Sequence, residues 1–482
     1  MYNLLSVNKL GRNKERKWSE VRMNHPNAEE GNIQRGLKNR HIQMIALGGA
    51  IGTGLFYGSA SVIKLAGPAI TVSYLIGGII IFFIMRALGE MSVEQPVSGS
   101  FSQYAYQYWG ELPGFIGGWN YWFNYIVVSM AELAVVGTYV NYWLPDIPIW
   151  VSALVCLVAI TAINLIHVKA FGEFEFWFAI IKVLAIVGMI VFGVAIIVFG
   201  FGHGGVPIGL GNLWQHGGFL PNGVYGVILS LVMAMFSFGG VELIGITAGE
   251  AENPRKSIPQ AINQVVWRIL LFYVGALTVI LAIFPWNEMG TQGSPFVQIF
   301  THVGIPAAAH LLNAVVLTAA LSTYNSALYS NGRMLYGLAL QGNAPRLFAK
   351  LNTSGVPVAA ILVSSGVTLF AVLLSYIDPD RVFLYLMAVA TIAIIINWAM
   401  ILLVQLKFRQ KKEAEKAVLT YKLPWYPFSS YISLAFLASI LVIMALIPDM
   451  RYSLYIAPAW LLCLYIGYQV KAKRQSEPVR NY

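Results

Sequence analysis

Charge is scarce in this sequence. Asp, Glu, Lys and Arg make up 11% of 482 residues, and hydrophobic residues 57%; soluble domains carry about 25% charge. Together with a mean hydropathy of +0.66, this excludes an ordinary soluble domain and leaves a polytopic membrane protein. Cysteine is scarcer still. Cys156 and Cys463 each fall inside an apolar run, which excludes a disulfide framework and a cysteine zinc site. The seven histidines form no HExxH pair or ligand cluster, and His167 falls at a span end. The expectation is no metal and no cofactor. A phosphate-binding P-loop and a nucleophile elbow are both missing, which argues against ATP-driven pumping within the chain. The first 40 residues are polar and basic ("NKLGRNKERKWSEVRMNHPNAEE") and lack the apolar core of a signal peptide. Residues 1–40 read as a disordered cytoplasmic segment, with Met23 as an alternative start to Met1.

Long apolar runs are what the sequence has. A spanning helix needs about 20 mostly apolar residues. Twelve runs qualify: 42–63, 69–89, 116–143, 148–167, 175–200, 223–247, 264–286, 306–337, 356–376, 382–406, 429–448 and 453–470. They are continuously apolar rather than alternating, which excludes a strand barrel. Lys and Arg set the orientation. With the N-terminus in the cytoplasm, the cytoplasmic side carries the N-terminal cluster, Arg86, Lys169, Arg255, Lys256, Arg333, Arg346, Lys350, "KFRQKKEAEK" and "KAKRQ"; the other side keeps Lys64, Arg381 and Arg451. The net charge of +10 is therefore a topology signal, not a nucleic-acid patch. The expected organisation is a core over 41–406 (spans one to ten), a basic cytoplasmic loop over 407–428, spans eleven and twelve over 429–470, and a cytoplasmic tail over 471–482. The aromatic, amphipathic "FSQYAYQYWGEL" (101–112) reads as an interfacial helix or as an extension of the third span.

Span one contradicts helix chemistry. "IALGGAIGTGLFYG" packs five glycines into the eleven residues from Gly48 to Gly58, and each costs about 1 kcal/mol against Ala in a helix interior. Span six does the same in "MFSFGGVELIGITAGE", with Gly239, Gly240, Gly245 and Gly249. Spans one to five and six to ten thus form two halves with interruptions at matching places, a pointer to a transporter binding site. Unwinding frees N–H and C=O groups at mid-membrane, tolerable only where they line a protein cavity. Positive half-helix ends suit an anionic group and freed carbonyls a cationic one, a pairing that an α-amino acid offers. The alternative is that these glycines only let helices approach closely.

The chain resembles amino acid permeases of the amino acid–polyamine–organocation superfamily, nearest in look to bacterial aromatic, proline and histidine permeases. The resemblance is carried by "RGLKNRHIQMIALGGAIGTGLF", "MRALGEMSVEQPVSGSFSQYAYQYWG", "GWNYW", "MAEL", "VKAFGEFEFWFAIIKV", "FSFGGVELIGITAGEAENPRKSIPQAI" and "NSALYSNGRMLYGLALQGNAP". It implies an all-α LeuT-type fold, an inverted five-plus-five repeat with two further helices and twelve transmembrane helices in all, in a bacterial cytoplasmic membrane. This fold is a standard example of inverted repeats. The resemblance further implies that the Thr53 and Gly54 N–H groups meet the substrate carboxylate. The carbonyls of Ala50, Phe236 and Gly239 meet its ammonium, and Phe236 serves as an aromatic lid. Gly52 and Ser237 join them as candidate substrate-binding residues, as do Ser322 and Asn325, because span eight lines the site in this fold.

Ionisable residues deep in spans are expensive, and function is their default reading. Glu132 lies mid-span in "SMAELAVV", Glu242 follows the break in span six, and Lys182 lies in "AIIKVLAIV" with no adjacent acid in its own helix. In related permeases a lysine at the Lys182 position replaces a sodium ion and couples transport to protons. Glu132 and Glu242 are further candidates for the coupling proton. The alternatives are a structural cation for Lys182, an interhelical anchor for Glu242, and a pocket or bonding role for Glu132. Of the remaining polar residues in spans, Asn120, Asn124, Asn164 and Asn397, the last two read as interhelical hydrogen bonds.

The expected function is import of a neutral amino acid with a large or cyclic side chain (aromatic, histidine or proline) by proton symport, with no protein partner required. An exchanger of the same fold is the main alternative. A membrane-embedded enzyme lacks the clustered catalytic groups it would need, and a channel would lack paired helix breaks.

Overall fold

The computed structural model describes Gln43, Met44 and residues 51–97, 100–166, 168–201, 204–290 and 293–476; the side chains of 168–171, 247, 250 and 474–476 are outside that description. The expectations for residues 1–40, Met23, Ala50 and His167 lie outside the described residues.

The elements are all helices. Ten helices among the described residues are long and apolar enough to cross a membrane. The first of these, Gly54–Glu94, carries two expected spans, because the chain turns at Gly67–Pro68 between Ser59–Ala66 and Ile70–Glu94. Span six is the shorter helix Gly223–Ser237, continued after a break by Leu243–Thr247. All twelve expected spans are thereby accounted for. Span five begins at Val168, seven residues before the expected 175, and runs to Phe199. The segment after span two forms its own helix, Ser100–Tyr108, and span three starts separately at Glu111 after a non-helical Gly110. Phe101, Tyr104 and Ala105 of that helix are buried against spans three and ten, so it is not an extension of span three.

Packing divides the helices in a regular way. Spans one, two, six and seven pack on one another, as do spans three, four, eight and nine. Span five lies on spans seven and eight, and span ten on spans two and three. Exchanging each span with its counterpart five places away in the other half maps one relation onto the other, as two structurally equivalent halves require. Because lipid supplies no hydrophobic drive between helices, polar contacts and close packing hold such a bundle. Asn164 Nδ2 donates to Asn325 Oδ1 at 2.8 Å between spans four and eight, and Asn120 Nδ2 donates to Asn397 Oδ1 at 2.8 Å between spans three and ten. Thr161 and Ser365 join spans four and nine at 2.8 Å, and Ser73 and Ser230 join spans two and six at 2.6 Å.

One ion pair ties span two to span ten and to the basic loop. Arg409 Nε and Nη2 donate to the two Glu90 oxygens at 2.7 and 2.8 Å, and the Leu423 N–H donates to Glu90 Oε2 at 2.6 Å. The Glu90 side chain is 0% exposed and that of Arg409 10%. Removing one member of a buried pair costs about 3–5 kcal/mol, mostly by stranding the other. Glu90→Ala is therefore expected to lower the melting temperature of the detergent-solubilised protein sharply, and Glu90→Ala/Arg409→Leu to lower it less. Equal melting of Glu90→Ala and the unsubstituted protein would exclude this clamp as a stability element.

Candidate functional site

The two breaks meet. The chain bends at Ile51 and Gly52 and re-enters helix through a widened π-turn, Gly54–Gly58, a distortion frequent at functional sites. Span six ends at Ser237 and passes through Gly240 at φ +95°, a left-handed conformation that glycine adopts without the Cβ clash. Gly54 and Ser237 are in direct contact: a Cβ added at Gly54 would lie 2.7 Å from Ser237 Cα. The Ser237 hydroxyl donates to the Gly54 carbonyl at 2.8 Å and lies 3.0 Å from the Tyr74 hydroxyl, while the Tyr273 hydroxyl donates to the Ser237 carbonyl at 2.8 Å. Both readings of the glycines hold here. They unwind the helices and they let the unwound segments touch.

A small, tightly closed pocket lies at this crossing. Gly52, Gly54, Phe236, Ser237, Gly239 and Gly240 form its broken-helix wall. Asn124, Tyr125, Val128 and Glu132 of span three, Thr323 of span eight, and Ala390 and Ile394 of span ten close it. Glu132 is 2% exposed, and its Oε1 accepts the Thr53 N–H at 3.4 Å. A side-chain carboxylate thus already stands on the amide assigned to a substrate carboxylate. Phe236 is 7% exposed, with its ring edge-on to Phe383 at 6.2 Å; Tyr57 meets the same Phe383 at 4.9 Å. Of these three rings, that of Phe236 lines the pocket. The Phe236 carbonyl, an expected ammonium acceptor, accepts the Gly239 N–H at 2.9 Å and keeps its second lone pair.

The other candidate residues sit in different surroundings. Ser322 and Asn325 do not line the pocket. Spaced i, i+3, they share a helix face that turns toward spans four and five. Asn325 accepts from Asn164 there, while Ser322 donates to Glu175 at 2.8 and 2.9 Å. Thr323, rotated about 100° from Ser322, faces the pocket instead. Lys182 does have an acid in its own helix. Glu175, two turns earlier and 0% exposed, lies 4.0 Å from its Nζ, brought inside by the earlier start of span five. Ser237 lines the pocket with its hydroxyl spent on Gly54 and Tyr74, as a brace between the breaks.

Lys182 stands behind span one. Its Nζ donates to the Ile51 carbonyl at 3.3 Å and to Ser322 Oγ at 3.0 Å. One ammonium therefore joins the unwound backbone of span one, span eight and, through Glu175, its own helix. Glu242 accepts from the Tyr125 hydroxyl at 3.0 Å and from Trp398 Nε1 at 3.4 Å, linking span six to spans three and ten. That geometry matches the anchor reading. Sequence reasoning missed Glu175, Thr323 and Tyr125, and left Asn124 without a role.

The sequence pattern of the family described as amino acid permease matches residues 41–480. The aromatic amino acid transport protein AroP of Escherichia coli (strain K12) is 55% identical over 441 residues, 92% of this chain and 96% of that relative. AroP of Salmonella typhimurium (strain LT2) is 54% identical over 441 residues, again 92% and 96%. The amino acid permease YtnA of Bacillus subtilis (strain 168), described as uncharacterized, is 53% identical over 440 residues, 91% and 95%. With a match across nearly its whole length, a bundle of membrane-length helices and two breaks that meet at one pocket, the chain belongs to the amino acid permease family and is a transporter rather than an enzyme.

Proposed function

We propose that this protein imports an aromatic α-amino acid together with a proton, by alternating access, across the bacterial cytoplasmic membrane with both termini in the cytoplasm. The observation that carries the reading is the meeting of two unwound helices at one buried pocket. Its backbone wall is suited to the charged α-amino and carboxylate ends. Its apolar lining, Val128, Leu243, Ala390 and Ile394, is suited to a ring. The names of the AroP relatives favour an aromatic side chain over histidine or proline. In this reading Thr53 and Gly54 bind the carboxylate, Phe236 covers the ligand, and Lys182 and Glu132 carry the proton linkage.

Uptake of a labelled amino acid panel into vesicles, with and without an imposed pH gradient, tests this. Phenylalanine, tyrosine and tryptophan are expected to compete for one site, and an acidic exterior to raise accumulation. Stronger displacement by arginine or lysine would make the substrate class wrong. Uptake that needs a preloaded amino acid and ignores the gradient would establish exchange instead.

Glu132 adds a second test. Its carboxylate and the substrate's share the Thr53 amide, so like charges compete for one donor, and protonation of Glu132 removes the conflict. Glu132→Gln is expected to flatten the pH dependence of substrate binding. A profile that keeps the slope of the unsubstituted protein removes Glu132 from the linkage.

A further inference from the structure

Asn124 is the polar side chain of the pocket that has nothing to do. It is 0% exposed and lines the pocket, yet neither its Oδ1 nor its Nδ2 has a hydrogen-bond partner among the described residues. Asn331 is also buried with both amide atoms unpartnered among the described residues, but it does not line the pocket; asparagines between helices behave differently. Asn120 and Asn164 each donate across to another helix at 2.8 Å. A buried polar group left unmade costs about 1–3 kcal/mol, and an amide carries both a donor and an acceptor. Both are idle inside a pocket, where a polar group of a ligand can reach them.

Its position says which part of the ligand that is. Asn124, Val128 and Glu132 follow one another at i, i+4 and i+8, along one face of span three. Asn124 therefore lies about 12 Å along the helix axis from Glu132, which is the residue beside the Thr53 amide. The carboxylate belongs beside the Thr53 amide of span one, so a side chain displaced this far along span three faces another part of the ligand. The pocket's apolar side chains, Val128, Leu243, Ala390 and Ile394, do not hydrogen-bond. The Tyr125 hydroxyl is already donated to Glu242.

We propose that Asn124 is a specificity-determining residue that hydrogen-bonds a polar group on the substrate's ring, so that the pocket selects tyrosine, tryptophan or histidine side chains over phenylalanine. The assignment rests on the amino acid transport reading above. A phenol hydroxyl donates to Oδ1 or accepts from Nδ2, an indole N–H donates to Oδ1, and an imidazole does either. Phenylalanine satisfies neither atom. A site built to hydrogen-bond a group discriminates against the analogue that lacks it, because its own polar atoms are then left buried and unpaired.

The test compares substrates in one variant, using purified full-length protein in proteoliposomes. Apparent affinities for labelled phenylalanine, tyrosine, tryptophan and histidine are measured for the unsubstituted protein, Asn124→Leu and Asn124→Asp. Asn124→Leu is expected to lower the ratio of tyrosine to phenylalanine affinity by about tenfold or more, with the tryptophan and histidine ratios falling in parallel. Asn124→Asp, which keeps the acceptor, is expected to hold the tryptophan ratio closer to that of the unsubstituted protein. A merely structural role would weaken all four substrates by one factor and leave the ratios in place; that result overturns the proposal. Failure of the unsubstituted protein to take up any of the four amino acids would overturn the transport reading itself and this assignment with it.

Discussion

Replacing Gly54 by alanine is expected to reduce uptake to background. The added Cβ would sit 2.7 Å from Ser237 Cα, and a backbone atom cannot rotate away as the end of a side chain does. Either the two unwound segments separate or the π-turn of span one is lost; both change the wall that holds the charged end of the substrate. Gly52 gives the contrast. There a Cβ would meet Thr323 Oγ1 at 2.7 Å and Glu132 Oε1 at 2.8 Å, both on side chains that can turn. Gly52→Ala is expected to weaken binding while leaving folding intact, and Gly54→Ala to abolish it with a lowered melting temperature as well. The measurements are substrate binding and thermal melting in detergent for both variants. Binding by Gly54→Ala with unchanged affinity would sink the assignment of the carboxylate to this stretch.

The second large effect is expected at Lys182. Lys182→Ala is expected to remove accumulation driven by a pH gradient more severely than it weakens binding at fixed pH. The ammonium holds the Ile51 carbonyl and Ser322, so its loss frees the unwound backbone of span one from span eight. The same change strands Glu175, 0% exposed and 4.0 Å away, at a cost of about 3–5 kcal/mol. A pure stability effect is therefore separated by the double variant Lys182→Ala/Glu175→Gln, which removes the stranded charge. That double variant is expected to recover melting temperature and binding but not gradient-driven accumulation. A single variant that still concentrates substrate in response to the gradient would refute Lys182 as the coupling site and turn attention to Glu132.

The spans were legible because apolar runs of such length and number are at home in a bilayer and in few other surroundings, and the breaks because glycine is costly where it stood. Lys182, Glu132 and Glu242 stood out because a charge inside such a run is rare. What the sequence withholds is direction. That span eight presents Thr323 rather than Ser322 to the pocket is a rotation of about 100°, invisible to hydropathy in a helix buried on most sides. Glu175 looked like the edge of a span; its burial is decided by Ser322, 147 positions away. Asn124 was visible as one of several polar residues in spans. Which of them lacks a partner depends on neighbours contributed by spans that are distant in sequence.

The contact between Gly54 and Ser237, braced by Ser237, Tyr74 and Tyr273, has a mechanical consequence. Two rods joined side by side at one point behave as a clothes peg: spreading the arms on one side of the contact draws in the arms on the other. Under the alternating-access reading proposed above, a carrier built on such a rivet opens one face as it closes the other, and a leak through both at once is refused by geometry rather than by a separate plug.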